Sequence, residues 1–484
     1  PDQARAMDEE ALGQYLSFNA TPAPRTLFAG IRKVPPGTWL RIEEDGAIRE
    51  RRYWDVLDRT VPLDGAREEE IAERLLSELR TAVRLRKISD VPVGVFLSGG
   101  IDSSTNAALF SEGESRPVRT FSIGYEGEYK SYRNELHYAR KMADLVGAEH
   151  HELLLREDNL LDFLPEMVRH QDEPLADPVC VPVYFVSKLA RDNGVTVCQV
   201  GEGSDELFWG YPYWKRSLAL QGWSGRLPVP GALRSLGSAG ARWASTAGKS
   251  SYRWQFSCEM LRRTLAKQPV FFGVAEVFTD AQKQRFLSPR MRASLGDSSA
   301  WETIGPIRRR FEEKAREPSA LNWMTYLDLN LRLPELLLMR VDKMSMAVGL
   351  EARVPFLDHK FVELAMSIPQ SVKTRNGTLK HILKKAVRNV IPDELIDRKK
   401  QGFGVPVYEW YFSRYGEFVR REVKEFCESS DCFRWKEVSP CLAERGWALL
   451  NMALWWKQYI AGSPVARPEG VAGEVALERA PSIC

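Results

Sequence analysis

Val91-Pro-Val-Gly-Val-Phe-Leu97 runs directly into Ser98-Gly99-Gly100-Ile101-Asp102-Ser103-Ser104, and this junction decides the fold. The first seven residues are apolar enough for a strand buried on both faces, as central parallel strands are. The next seven hold two glycines and three serines and lead into a helical pattern over 103–112. Working outward, two further apolar runs, 118–125 and 195–201, read as strands, and 132–147 and 181–193 read as helices. Strands alternating with helices predict a doubly wound parallel α/β sheet, whose ligands bind beyond the carboxyl ends of the strands. All three strand candidates end in loops rich in Gly, Ser, Asp or Glu.

Upstream, residues 67–86 carry Ile71, Leu75, Leu76, Leu79 and Val83 at helical spacing, predicting a helix that feeds the first strand. Residues 9–54 read as a short helix followed by a hairpin or connector punctuated by prolines. Downstream, 224–250 is rich in Gly, Ser, Ala and Pro and reads as an inserted excursion. Its Ala-Gly-Lys-Ser at 247–250 is not a nucleoside-triphosphate P-loop, because Trp243 stands where that motif needs glycine. From 305 to 460 the pattern is mostly helical, and 461–484 reads as a polar tail.

Composition narrows the function classes. The 484 residues are 44% hydrophobic and 27% charged, an ordinary globular balance that excludes a mainly disordered or fibrous chain. Lys and Arg number 68 against 65 Asp and Glu, so no bulk field draws the chain to nucleic acid or an anionic membrane. No run approaches the ~18 apolar residues that a membrane span requires. The seven cysteines are scattered without a Cys-x-x-Cys pair, which fits free thiols in a reducing, cytoplasmic setting.

The chemistry concentrates in a few segments. Gly99 and Gly100 let backbone N–H groups approach a polyphosphate at a helix N-terminus, and Ser98 and Ser103 add hydroxyls. Asp102 repels phosphate directly, so its role runs through Mg²⁺. The bland alternative is an N-capped turn. A second loop, Gly201-Glu202-Gly203-Ser204-Asp205-Glu206-Leu207-Phe208, places three mutually repelling carboxylates together, a cost that a second Mg²⁺ contact at Asp205 relieves. Lys343 follows in Arg340-Val-Asp-Lys, then Glu351-Ala-Arg353-Val-Pro-Phe-Leu-Asp358, Lys380 in Gly377-Thr-Leu-Lys-His, and Arg398-Lys399-Lys400-Gln-Gly-Phe-Gly. The bland alternative for Lys343 and Lys380 is a solvated helix lysine, while 398–400 reads equally as a phosphate-neutralising cluster and as a surface basic turn.

Ser-Gly-Gly-Ile-Asp-Ser-Ser after a hydrophobic strand resembles the loop of the ATP pyrophosphatases. The four segments in this order resemble the synthetase half of the glutamine-hydrolysing asparagine synthetases, from about residue 9 to 460. The resemblance implies that backbone at Phe96, Ile123 and Gly201 holds adenine, and that Ser98, Gly99, Gly100, Asp102 and Ser103 hold the phosphates of ATP. It assigns Mg²⁺ to Asp102 and Asp205, pyrophosphate to Lys343, transition-state stabilisation to Lys380 and proton acceptance to Glu202. The implied domains are a connector over 1–60, resembling the end of a glutaminase domain, the synthetase over 61–460 and the tail. The implied partners are a small carboxylate, aspartate first, and ammonia from a glutaminase domain absent from this chain; nucleic acid and membrane are excluded and a homodimer is admitted.

Departures matter. Relatives carry serine before Gly-Glu-Gly and glycine after Leu-Phe, where Val200 and Trp209 stand here; these bear on the acceptor more than on adenylation. The first cysteine is Cys180, so the N-terminal nucleophile of a glutaminase is not in this sequence, which reads as a fragment. The open alternatives are an amidotransferase acting on another carboxylate, an intramolecular ligase of β-lactam or lasso-peptide type, and a catalytically silent relative.

Overall fold

A computed structural model describes residues 5–466, except 131, 133, 225–229, 247–251, 274–275 and 400. The Ala-Gly-Lys-Ser segment and most of the tail therefore lie outside the described residues. The centre is a five-stranded sheet of β3 (Val93–Phe96), β4 (Arg119–Tyr125), β5 (Glu149–Leu155), β6 (Val197–Gln199) and β7 (Glu351–Arg353), in the order β5-β4-β3-β6-β7. Every pairing in it is parallel. The expected doubly wound sheet is present, with two strands that apolar runs did not mark. β5 reads Glu-His-His-Glu-Leu-Leu-Leu and lies at an edge, half exposed, and β7 has three residues.

Helices cover both faces. α2 (Glu68–Leu85), α3 (Ile101–Ser111) and α4 (Leu136–Leu145) contribute to one apolar layer with Val95 and Leu97, while α5 (Glu157–Gln171) and α6 (Cys180–Asp192) contribute to the other with Phe121 and Ile123. In α2 the predicted stripe is buried at Ile71, Leu75, Leu79 and Val83, with Leu76 half-buried at its margin. Its three leading glutamates suit the positive end of the helix dipole.

The chain winds from β3 outward through β4 to β5, then returns to the other side of β3 as β6. That reversal leaves a crevice between the carboxyl ends of β3 and β6, the place where open α/β sheets bind ligands. The two glycine-rich loops sit there. A mostly helical C-terminal part follows, from Ala320–Asn330 to Leu442–Trp455.

Near the start, α1 (Glu9–Phe18) is capped by Asp8 and buries Ala11, Leu12, Tyr15 and Leu16; the Tyr15 hydroxyl donates to the Ala448 carbonyl at 2.7 Å. The hairpin of β1 (Thr38–Ile42) and β2 (Ile48–Arg52) stands largely exposed. The segment read as an irregular excursion is more regular than its composition: Gly231–Thr246 is helical and packs on the helix Tyr252–Leu265. Its glycines weaken the helix without breaking it.

Lys373 is fully buried, its Nζ has no hydrogen-bond partner among the described residues, and burial pulls its pKa down to about 8, with Glu317 opposing. Below pH 8 this lysine is charged in both folded and unfolded chains and the folded state carries the desolvation cost. Between about pH 8 and 10.5 the unfolded chain binds more protons, so stability rises with pH. Lys373→Met is expected to stabilise the fold at pH 7 by on the order of 2–3 kcal/mol. The gain over the unsubstituted chain should shrink as denaturant titrations move from pH 7 to 10.

Candidate active site

The helix α3 begins at Ile101 with Gly100 as its cap, and no side chain caps it, so its first N–H groups face the crevice open to an anion. Gly99 has φ +70°, and a Cβ there would lie 2.6 Å from the Tyr138 Cβ, so only glycine lets the loop lie against α4. Ser98 and Ser103 close the turn. The Ser98 N–H donates to Ser103 Oγ at 3.1 Å, the two hydroxyls are 3.0 Å apart, and Ser103 Oγ donates to the Gly100 carbonyl at 3.2 Å. Phe96 ends β3 beside Phe121, and Ile123 lies near the carboxyl end of β4. Gly201 abuts α3: a Cβ on it would stand 3.2 Å from the Ser103 nitrogen.

Lys380 joins the two loops. Its Nζ donates to Asp102 Oδ1 and Oδ2 at 2.7 and 2.6 Å, reaches Asp205 Oδ1 at 2.7 Å and lies 3.3 Å from Ser204 Oγ. Ser204 Oγ itself donates to Asp102 Oδ1 at 2.7 Å. The ammonium is 3% exposed. Burial alone would discharge it, but the Asp102 and Asp205 charges outweigh that and hold its pKa above the usual lysine value. The reading of Lys380 as an exposed face lysine is therefore corrected. Its backbone takes the left-handed region, φ +56°, and its N–H donates to the Phe208 carbonyl at 3.1 Å.

The acidic loop needs a cation for each carboxylate, and three different basic side chains supply them. Asp205 has Lys380. Glu202 Oε1 accepts from Arg340 Nη2 at 2.5 Å, while Arg340 Nη1 holds Asp177 at 2.5 Å. Arg340 is buried; Asp177 and Glu202 overcome the burial and raise its pKa. Glu206, which belongs to the short helix α7 (Ser204–Leu207), accepts from Arg332 Nη1 at 2.9 Å and from the Tyr211 hydroxyl at 2.5 Å. Burial raises the Glu206 pKa against the pull of Arg332. Arg340 stood in a quoted segment without a role, and Arg332 carried no sequence signal.

Lys343 shares the helix Leu338–Met346 with Arg340 and pairs with Asp172. Arg398 is brought to the phosphate loop: its Nη2 would lie 3.6 Å from a Cβ on Gly100. Lys400 is outside the described residues. Val200 gives its N–H to the Arg353 carbonyl at 2.8 Å, so its backbone serves the sheet edge. Trp209 is buried at φ +56°, in the left-handed region that favours glycine over a residue with a side chain.

Two family patterns match: a glutamine amidotransferase domain over residues 1–54 and asparagine synthase over residues 74–455. The chain belongs to the asparagine synthase family. Asparagine synthetase [glutamine-hydrolyzing] 1 of Bacillus subtilis is 34% identical over 419 residues, 87% of this chain and 62% of the relative. Asparagine synthetase [glutamine-hydrolyzing] 3 of the same organism is 27% identical, again over 87% of this chain and 62% of the relative. Amidase chyE of Penicillium rubens is 25% identical over 80% of this chain and 60% of its own length. The chain thus spans less than two thirds of these relatives. The asparagine synthase pattern covers every strand of the parallel sheet and each residue of the Lys380 cluster. Among the described residues no helix is long and apolar enough to cross a membrane.

Gly210 tests how tightly the cluster is built. A Cβ there would lie 1.9 Å from Asp205 Oδ1 and 2.6 Å from Lys380 Cε, whereas one on Gly222 would meet nothing within 4 Å among the described residues. Gly210→Ala is expected to lower stability by about 1–3 kcal/mol through overpacking. Gly222→Ala, in a helix, should raise it by about 0.5–1 kcal/mol. Thermal unfolding of the two variants measures the contrast.

Proposed function

We propose that this chain is the adenylating part of an ATP-dependent amide-forming enzyme, with the side-chain carboxylate of aspartate as acceptor and asparagine as product. The observation that carries the reading is the buried ammonium of Lys380, shared by Asp102 and Asp205 beside the open N-terminus of α3. The α3 N–H groups with Ser98 and Ser103 cradle the phosphates, and backbone at Phe96, Ile123 and Gly201 faces the adenine. The acceptor carboxylate oxygen attacks the α-phosphorus and pyrophosphate leaves, giving acyl-AMP. Lys380 stabilises the charge that grows on the α-phosphoryl and acyl oxygens. Ammonia then attacks the acyl carbon, AMP leaves, and the proton lost by nitrogen passes to Glu202, which Arg340 holds in place. Lys343 contacts pyrophosphate by turning from Asp172.

Two converging carboxylates are the hard oxygen donors that Mg²⁺ takes together with phosphate oxygens and water, so Asp102 and Asp205 fit as its protein ligands. When bound, the ion neutralises phosphate charge and so favours attack at the α-phosphorus and departure of pyrophosphate.

The ammonia is assigned to glutamine hydrolysis in the rest of an amidotransferase domain. Residues 1–54 match such a domain. The hairpin β1–β2 within them exposes Leu40, Ile42 and Ile48, which share one face of its register.

The test is pyrophosphate release from MgATP with ammonium, comparing aspartate with a panel of other carboxylic acids. Aspartate-dependent release with asparagine formed is expected. Release with a different acid would keep the mechanism and change the acceptor, and silence with every acid would overturn the reading. Lys380→Ala is expected to lower turnover at least ~100-fold, and Lys384→Ala less than about twofold.

A further inference from the structure

We propose that Arg398 is a phosphate-binding residue that Glu135 keeps occupied until nucleotide arrives. This rests on the ATP reading above and adds an exchange of partners to it. Arg398 caps the end of the helix Asp393–Asp397 and brings its guanidinium to the loop at Gly100. Both terminal nitrogens are taken by one carboxylate: Nη1 donates to Glu135 Oε1, and Nη2 to Glu135 Oε2 at 3.1 Å. The planar group lies over the Tyr138 ring, 4.7 Å from its centroid. Tyr138 and Glu135 belong to the start of α4, against which Gly99 is packed, and Arg398 Nη2 is the next atom that a Cβ on Gly100 would meet after Ser98 Oγ. The fork is thus aimed at the loop whose N–H groups await an anion, and it is only 10% exposed.

Carboxylate and phosphate present the same two-oxygen edge to a guanidinium, so one can replace the other without the arginine changing shape. Glu135 offers a single negative charge, and a nucleotide polyphosphate offers several. Tyr138 stacking keeps the fork in plane through the exchange. Glu135 is therefore a competitor of the phosphates. Losing its charge should tighten nucleotide binding, while losing Arg398 should weaken it. A purely structural ion pair predicts otherwise, because breaking it from either side then gives the same sign.

The experiment titrates MgATP, inorganic pyrophosphate and AMP onto the full chain and its Arg398→Gln, Arg398→Lys and Glu135→Gln variants, with thermal unfolding of each. Expected are MgATP and pyrophosphate binding weakened about tenfold or more in Arg398→Gln and partly kept in Arg398→Lys, whose charge lacks the fork. Glu135→Gln should bind both several-fold more tightly, and AMP should respond least. In turnover, the KM for ATP should move with these values while the KM for the carboxylate stays put. Equal MgATP binding in Arg398→Gln and the unsubstituted chain, or weakened binding in Glu135→Gln, overturns the exchange. An unsubstituted chain that binds no MgATP overturns the adenylation reading itself and this inference with it.

Discussion

One ammonium ties together three segments that are far apart in the chain. Asp102 lies in the first turn of α3, Asp205 in the short helix α7 after β6, and Lys380 precedes the helix His381–Ala386. Without the lysine, two carboxylates would face each other in a half-dry crevice, and without either carboxylate a buried lysine would lose its charge. Removing one member of such a buried set typically costs about 3–5 kcal/mol, because what remains is an unpaired charge. The glycines are spaced around this contact: Gly201 lets the acidic loop lie against α3, and Gly210 makes room for Asp205 and the Lys380 chain.

The same economy governs the rest of the acidic loop. Glu202, Asp205 and Glu206 sit within five residues, yet each has its own cation, Arg340, Lys380 and Arg332. Arg332 and Arg340 come from one continuous helical run and Lys380 from a later segment, so the C-terminal helical region is the counter-charge of the loop as well as its cover. Arginine suits the two positions whose carboxylates are structurally fixed, since a planar fork holds geometry that an ammonium does not. Lysine stands where one ammonium is shared between two carboxylates, Asp102 and Asp205.

Much of this was legible in the sequence, and what was not has definite causes. β3, β4 and β6 declared themselves as apolar runs because both their faces are covered. β5 did not, because an edge strand with a polar first half has no run to show, and three residues of β7 are too few for any period. Asp102, Asp205 and Glu202 were visible through their glycine-rich loops. Lys380 was visible as a lysine in a plausible place, but its burial depends on a carboxylate 278 positions away, which no local pattern encodes. Arg332 and Glu135 gave no signal for the same reason. The excursion at 224–250 was misjudged in part because glycine and serine marked it as irregular, while packing on the helix Tyr252–Leu265 makes 231–246 helical.

The hydrogen bond from Tyr15 to Ala448 joins the first helix to the last long one. α1 lies in the same apolar body as Leu449 and Leu454 and is no tether on its surface. A protease or an engineer seeking to detach the amidotransferase-like segment at the hairpin would therefore be cutting on the wrong side of a keystone. The first helix of the described chain is thus part of the same packed body as the last long one, although more than four hundred positions separate Tyr15 from Ala448.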